Sequence, residues 1–334
     1  MTTRSAHGLI SRVADCCFWL GRYVERSESI ARVLQATVNL ALDGELTPRQ
    51  CWYPAVVVAG EEATFRARLG DAALGDGEQV QRYLVWDEEC AVSLRRTVTA
   101  GRENARSIRE VLSSDVWGTI NELHLWIGNG AAQVEWNGHR DAFYTRVRQA
   151  TQLCLGQLRS TMLHDTALDF IWLGVLLERV DQTARLLDVH HHAFVDGEHL
   201  HQVVETTIWM TLLRACSGVV PFMKAHAGHV NGSAVAGFLI GEARFPRSVA
   251  YCVRSAYERL CAIRPPGHEV LPGGRALEQL RQLDEWVRVL PVGEPALHGV
   301  LTHVVDEIAA ICETIGVELL GYGAASQAAT QTQA

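Results

Sequence analysis

Residues 19–34 read WLGRYVERSESIARVL, and residues 172–187 read WLGVLLERVDQTARLL. The two stretches align without a gap, and half of their positions hold the same residue. The identical pairs are Trp19/Trp172, Leu20/Leu173, Gly21/Gly174, Glu25/Glu178, Arg26/Arg179, Ala31/Ala184, Arg32/Arg185 and Leu34/Leu187. A carboxylate is kept at one more position, because Glu28 aligns with Asp181. We call these stretches the first and second Glu-Arg motifs, after the pair at the centre of each.

Both motifs predict a helix, because neither contains proline and their apolar residues recur at the helical period. Steps of four, three and four residues place several polar positions on one helix face. In the first motif this stripe is Gly21, Glu25, Glu28 and Arg32, and in the second it is Gly174, Glu178, Asp181 and Arg185. Arg26 and Arg179 are expected to project from a different face.

The stripe allows two interpretations. Glu28–Arg32 and Asp181–Arg185 are acid-first i,i+4 pairs, which commonly lie on solvated helix faces. However, apolar residues surround most of the second motif, which is typical of an enclosed helix. A helical glycine is also unfavourable by about 1 kcal/mol relative to alanine, unless a backbone or ligand approaches closely. We therefore favour a buried polar seam, in which each charge must be paired.

A third charged stretch lies between the two motifs. Arg102, Arg106 and Arg109 are spaced four and three residues apart, with Asn104 among them. They form either a solvated charged helix or a set of guanidinium groups for carboxylate or phosphate oxygens. Asn104 can both donate and accept hydrogen bonds, which suits such a network.

Four separated segments resemble the alpha-E family, a bacterial all-helical domain named for its Glu-Arg motif. Besides the two motifs, the similar segments are SRVADCCFWLGRY at 11–23, RENARSIREVLSSDVWGTINELH at 102–124 and FPRSVAYC at 245–252. Glu242 departs from the family pattern, which has aspartate there, but it keeps the charge. Family members are often encoded beside, or fused to, circularly permuted ATP-grasp proteins and transglutaminase-like proteins. The resemblance therefore implies amide or peptide bond formation, with those two proteins as partners.

The composition of the 334-residue chain predicts a globular protein, with 48% hydrophobic and 20% charged residues. A net charge of −8 argues against nucleic-acid binding. No apolar run is long enough for a membrane span, and no signal peptide is evident. Nine cysteines without a C-x-x-C pair favour buried thiols in a reducing compartment, so we expect a cytoplasmic protein.

The fold expected is all-α, a helical bundle with an internal two-fold-like repeat of the long Glu-Arg helix. One domain at 1–323 would contain halves at about 9–135 and 140–320, followed by a disordered tail at 324–334. Helices are expected at 11–42, 79–112, 140–162, 165–192, 202–217, 221–241, 275–290 and 296–320, and from Phe245-Pro246 to about residue 263. Residues 47–77 form the least regular region, and Ser113 is expected to cap a helix.

Histidines at 190–192, 199, 201, 226 and 229 raise the question of a metal site. The chain has no H-E-x-x-H spacing and the Glu-Arg stripes contain no histidine, so we predict no metal and no cofactor. It also lacks the P-loop, the dinucleotide-binding glycines and the G-x-S-x-G elbow.

Two functions remain open, and the catalytic residues are unknown. The protein is either a helical partner of an ATP-grasp-type ligase or an enzyme for amide-bond formation or rearrangement. In both, a Glu/Arg cleft would bind an anionic or amino-acid-like small molecule or peptide. The candidate binding residues are Glu25, Arg26, Glu28, Arg32, Arg102, Asn104, Arg106, Glu178, Arg179, Asp181, Arg185 and Arg247.

Overall fold

A computed structural model describes residues 9–43, 46–195, 202–226, 230–267, 271–290 and 297–322. The described residues form α-helices joined by short connections and contain no strand, which confirms the all-α prediction. The helices are α1 (Ser11–Asp43), α2 (Pro48–Val58), α3 (Glu62–Leu69), α4 (Gly77–Trp86), α5 (Leu94–Ser107), α6 (Ser114–Gly128), α7 (Gly130–Gly138), α8 (Arg140–Thr161), α9 (Thr166–Val195), α10 (Gln202–Ala215), α11 (Val219–His226), α12 (Gly232–Gly241), α13 (Val249–Ile263), α14 (Gly274–Val289) and α15 (Leu297–Leu319). A 3-10 turn at Asp71–Gly75 precedes α4.

The two Glu-Arg motifs lie on the longest helices, α1 and α9, and these helices pack on each other more extensively than any other pair. With 33 residues, α1 is about 50 Å long at 1.5 Å per residue. α5 and α8 pack on α1, while α13 and α15 pack on α9. The motifs therefore lie at the centre of the bundle. The repeat of two complete halves stays a prediction.

Burial decides between the two interpretations of the stripe. Every residue from 171 to 180 on α9 is buried, including Glu178 and Arg179. One apolar core joins α1 and α9 to the C-terminal helices, and a second joins the end of α1 to α2–α8. The apolar circumference of residues 171–180 is thus explained by neighbours on all sides. The buried seam is confirmed for Glu25, Glu28, Arg32 and Glu178, whereas Asp181 and Arg185 are partly exposed.

Before residue 245, the predicted elements differ from the structure in three places. Residues 47–77 are mostly helical, because Thr47 caps α2 through a capping box and Pro54 is accommodated inside that helix. Residues 87–93 interrupt the helix expected at 79–112, where the Asp87 side chain accepts backbone hydrogen bonds in a turn. The helix expected at 221–241 is two helices, α11 and α12.

Other expectations are confirmed. Ser113 caps α6 by accepting a hydrogen bond from the Val116 amide. All nine cysteines are free, and seven of them are buried. The tail at 324–334 and the residues His199, His201 and His229 lie outside the described residues, as do the side chains of residues 190–192.

Candidate functional site: a buried glutamate–arginine network

α1 and α9 come closest at the glycines of the two motifs. A Cβ atom built on Gly21 would lie 2.0 Å from the Ile171 carbonyl oxygen, and one on Gly174 would lie 2.1 Å from the Phe18 carbonyl oxygen. No side chain fits at either position without moving a backbone, so the close approach requires glycine. The unfavourable helix propensity of glycine is the local cost of bringing two charged faces together.

One turn further along, the Glu-Arg pairs of the two motifs bind each other reciprocally. Arg26 donates from Nε and Nη2 to the two carboxylate oxygens of Glu178, at 2.6 and 2.8 Å. Arg179 donates in the same way to Glu25, at 3.0 and 2.6 Å. Both carboxylates are fully buried. These bidentate contacts are the strongest geometry for such a pair.

Arg26 and Arg179, which were expected on a different face of their own helices from the stripe, are thus both part of the contact between the two motifs. Each arginine is adjacent in sequence to its own glutamate but reaches the glutamate of the opposite helix. A long guanidinium side chain spans this distance because the glycines hold the backbones so close.

Each central glutamate also has a second arginine. Arg22 donates from Nε to Glu178 at 2.8 Å, and Arg247 donates from Nη1 to Glu25 at 2.8 Å. Arg247 extends its other terminal nitrogen, Nη2, to Glu28 at 2.8 Å. Arg247 therefore links both carboxylates of the first motif.

Arg247 reaches these carboxylates from the segment before α13. Arg179 donates to the Pro246 carbonyl oxygen at 3.0 Å, and Thr183 donates to the Arg247 carbonyl oxygen at 3.1 Å. Ser248 rather than Pro246 marks the helix start, because its hydroxyl accepts from the Tyr251 amide. The expected start at Phe245-Pro246 is thus three to four residues early, and the non-helical backbone is what lets Arg247 bind the network.

The second carboxylates of the two motifs have different surroundings. Glu28 accepts from Arg32 at 3.0 Å, from Gln152 at 3.0 Å and from Arg247, and its side chain is 1% exposed. Asp181 pairs with Arg185 at 2.9 Å, and its side chain is 15% exposed. The first motif is closed by α8 and the Arg247 segment, whereas the second ends nearer the surface.

The pKa shifts follow from these partners. Burial alone would raise the pKa of Glu28, but Arg247 and Arg32 outweigh it and lower the pKa to about 2. Burial likewise opposes ionisation of Glu178, yet Arg26 and Arg22 lower its pKa to about 2. Burial raises the pKa of Asp181, because Arg185 compensates it only in part. Glu28 and Glu178 are thus ionised at neutral pH.

Comparison with known proteins identifies the family. Residues 9–319 match the model of Alpha-E, described as "a predicted alpha-helical domain with a conserved ER motif". The chain belongs to the Alpha-E family. The resemblance inferred from the Glu-Arg motifs is therefore confirmed, and those motifs are the pairs that meet between α1 and α9.

Similar proteins occur in mycobacteria. Uncharacterised proteins of Mycobacterium bovis (Mb2597) and Mycobacterium tuberculosis (Rv2567) are 25% and 24% identical to this Alpha-E chain over 269 residues. The alignments cover 72% of this chain but only 28% of each relative. This chain therefore matches a little over a quarter of the length of those relatives. No solved structure matches it.

The middle arginines of this Alpha-E protein form a separate group on α5 and the turn that follows it. Arg102 donates to the Asn121 side chain at 3.3 Å, and Arg106 pairs with Glu103 at 2.7 Å. Asn104 is partly exposed on the same helix, and Arg109 lies over the Trp117 ring. None of the hydrogen bonds found among the described residues joins this group to the buried network.

Several contributors were not anticipated from the sequence. Arg22 lies one turn before Arg26 on α1, and this spacing of four residues predicts that both arginines lie on the same helix face. Gln152 and Ser217, which bind Glu28 and Arg32, come from α8 and the turn after α10 and carry no local signal.

The network carries excess positive charge. Its members are Arg22, Arg26, Arg32, Arg179, Arg185 and Arg247, balanced by Glu25, Glu28, Glu178 and Asp181. Six guanidinium groups therefore meet four carboxyl groups, which favours an anionic ligand over a cationic one. Among the described residues no group of three or more histidine, cysteine or acidic side chains is placed to hold a metal ion.

In the part of the chain that the structure describes, every helix is too short or too polar to cross a lipid bilayer.

Proposed function

We propose that this Alpha-E protein is a helical accessory partner of an ATP-grasp-type amide or peptide ligase. In this role it binds or presents an anionic or amino-acid-like substrate beside its Glu/Arg network. The observation that carries the proposal is that the glutamates of the network are ion-paired with arginines, which makes them poor proton acceptors. A general base works best with a pKa near the working pH, whereas the pKa of Glu178 and of Glu28 is about 2.

The substrate class is supported by charge. The network has more guanidinium groups than carboxylates, and guanidinium groups bind carboxylate and phosphate oxygens bidentately. An anionic substrate would therefore be attracted to this network despite the net charge of −8.

The partner is supported by the domain context of the family. Most of each mycobacterial relative lies outside the region that matches this chain, as expected for a module that works beside other domains. The choice of an ATP-grasp ligase, with a transglutaminase-like protein as a further partner, rests on the family's usual association. We also place the protein in the cytoplasm, since its nine cysteines are unpaired.

An enzymatic role is the second candidate, and Asp181 is the observation that favours it. Burial raises the pKa of this carboxyl, and a carboxyl that retains its proton at higher pH suits general acid catalysis. Its side chain is also the most exposed of the four network carboxyls. In this alternative the protein would itself catalyse amide-bond formation or rearrangement.

One experiment separates the two roles. The purified protein is mixed with an ATP-grasp ligase from the same organism, and complex formation and ATP-dependent product formation are measured over a range of salt concentrations. A complex that forms with wild type and with Asp181→Asn, with equal product yields, is the expected result. No complex at any salt concentration would contradict the partner role. Product loss in Asp181→Asn, with the complex and the stability intact, would favour the enzyme instead.

A further inference from the structure

Arg32, Arg148 and Arg214 line one cavity of about 350 Å³ beside the buried network. Arg32 comes from α1, Arg148 from α8 and Arg214 from the end of α10, so the three side chains belong to three different helices. The other polar residues of the lining are Gln35, Asn39 and Ser217, and no carboxylate of a described residue lines the cavity. A cavity of this size with a cationic wall can accommodate a small anion.

Arg148 is held in place while part of its guanidinium group lacks a partner. The Gln35 amide nitrogen donates to Asp141 at 2.6 Å and to Thr145 at 3.0 Å, which turns its oxygen toward Arg148. Arg148 donates from Nη1 to that oxygen at 2.5 Å. Its Nε is buried and has no hydrogen-bond partner among the described residues. A buried donor without a partner is destabilising, so an acceptor supplied by a ligand would be stabilising.

Arg32 brings further uncompensated charge to the cavity. Its carboxylate partner, Glu28, is shared with Arg247. Burial lowers the pKa of Arg32, and the nearby charges of Arg247 and Arg148 lower it further while Glu28 opposes them. Arg214 is exposed and has no ion-pair partner within the described part of the chain. Among the described residues, Glu28 is therefore the only carboxylate that pairs with any of the three arginines lining the cavity.

Ser217 also lines the cavity, and its backbone conformation is unusual. Among the described non-glycine residues only Ser217 has a positive φ, 54°, although a glycine follows it directly. Its hydroxyl accepts a hydrogen bond from Arg32 Nη1. Left-handed backbone at a residue other than glycine is uncommon, and such strain often marks functional sites. The turn thus places a hydroxyl group next to the guanidinium groups.

We propose that this cavity binds the phosphate group of a small phosphate ester. Phosphate is tetrahedral and carries up to two charges, so donors arriving from three helices suit it better than a planar carboxylate. Within this protein a single carboxylate is already matched by two arginines, as Glu178 shows. The assignment refines the anionic substrate of the proposed function and depends on that proposal for its biological role, whereas binding itself is independent of the ligase.

Titration calorimetry of the full chain with inorganic phosphate, and with acetate at matched ionic strength, tests the site. We expect phosphate to bind and acetate to bind far more weakly. Arg214→Gln and Arg148→Gln should each weaken phosphate binding by about tenfold, the value of one charge-assisted contact. Arg146→Gln is the control, because Arg146 lies on α8 two residues from Arg148 but pairs with Glu135 outside the cavity.

Three results would overturn the inference. They are the absence of phosphate binding, equal binding of phosphate and acetate, and equal loss in the Arg146→Gln control. Arg214→Gln keeps the test valid if Arg148→Gln unfolds, because Arg214 is exposed. If phosphate fails to bind while the ligase complex forms, only this inference is lost. If phosphate binds without any ligase complex, the phosphate site stands and the partner role fails.

Discussion

The two Glu-Arg motifs are nearly equivalent in their first half and differ in their second. Gly21 and Gly174 make the same close backbone approach. Each of the glutamates that follow, Glu25 and Glu178, binds the arginine of the opposite helix. One turn later, Glu28 is enclosed with a low pKa, whereas Asp181 has a raised pKa and a partly exposed side chain.

This difference shows that the same local pattern gives different chemistry according to what packs on it. Glu28 and Asp181 each have an arginine four residues later on their own helix. Only Glu28 also receives Arg247 and Gln152 from distant parts of the chain. A carboxylate without such additional donors is destabilised by burial, and its pKa rises.

The largest expected effect on stability is at the glycine in the first half of each motif, where the two motifs are equivalent. Gly21→Ala and Gly174→Ala should each destabilise the protein by about 4 kcal/mol or more, because the new Cβ would overlap a backbone oxygen of the opposite helix. Urea denaturation measures this loss. Gly118→Ala on α6 is the control, since a Cβ there meets nothing within 4 Å. It should stabilise the protein by about 0.5–1 kcal/mol, and equal effects at all three glycines would refute the close crossing.

The second prediction compares the half in which the motifs differ. Glu28→Gln should lower the free energy of unfolding by about 3–5 kcal/mol, because Arg32 and Arg247 lose a buried partner. Asp181→Asn should change it by less than about 1 kcal/mol, since burial already disfavours the charged form of Asp181. The same denaturation assay tests both. Similar losses in the two variants would mean that the motifs have equivalent surroundings.

The third prediction concerns the stability of the folded protein at low pH. Glu28 and Glu178 have pKa values of about 2, below the ordinary value of 4.5, so their stabilising effect is complete above pH 4.5 and is lost as the pH falls toward 2. Each contributes roughly 3 kcal/mol over this range. Asp181 has the opposite sign, because its raised pKa makes protonation favourable to the folded state. Unfolding curves between pH 7 and pH 2 should therefore be less steeply acid-dependent in Glu28→Gln than in wild type, and identical slopes would contradict this account.

The smallest effect is expected outside the motifs. Arg106→Gln should change stability by less than about 0.5 kcal/mol, because the Arg106 side chain is 62% exposed and its pair with Glu103 is solvated. Thermal unfolding monitored by circular dichroism is sufficient to measure it. A loss comparable to that of Glu28→Gln would place the α5 arginines in the same network as the motifs.

Much of the fold follows from local patterns. The apolar circumference of the second motif predicts a buried helix, and the glycine of each motif predicts a close approach. The ends of α1 and α8 lie within one or two residues of their expected positions. Regular helical period and capping residues are local properties, so sequence reasoning captures them.

Which arginine pairs with which glutamate could not be predicted from local sequence patterns. Which glutamate Arg26 binds depends on the separation of two helices, and that separation is set by Gly21 and Gly174 together. Arg247 reaches Glu25 from 222 positions away along the chain. Residue spacing within one helix does not predict contacts between such distant segments. For the same reason, the sequence did not predict that Arg102 and Arg106 lie apart from the network.

The free energy of unfolding of Glu178→Gln tests most directly whether the Glu-Arg pairs fasten α1 to α9. The substitution nearly preserves volume while leaving Arg22 and Arg26 without a buried carboxylate. A fall of about 3–5 kcal/mol in urea denaturation is the predicted result. Wild-type stability combined with loss of the ligase reaction product would contradict it, and would mean that Glu178 serves a substrate rather than the fold.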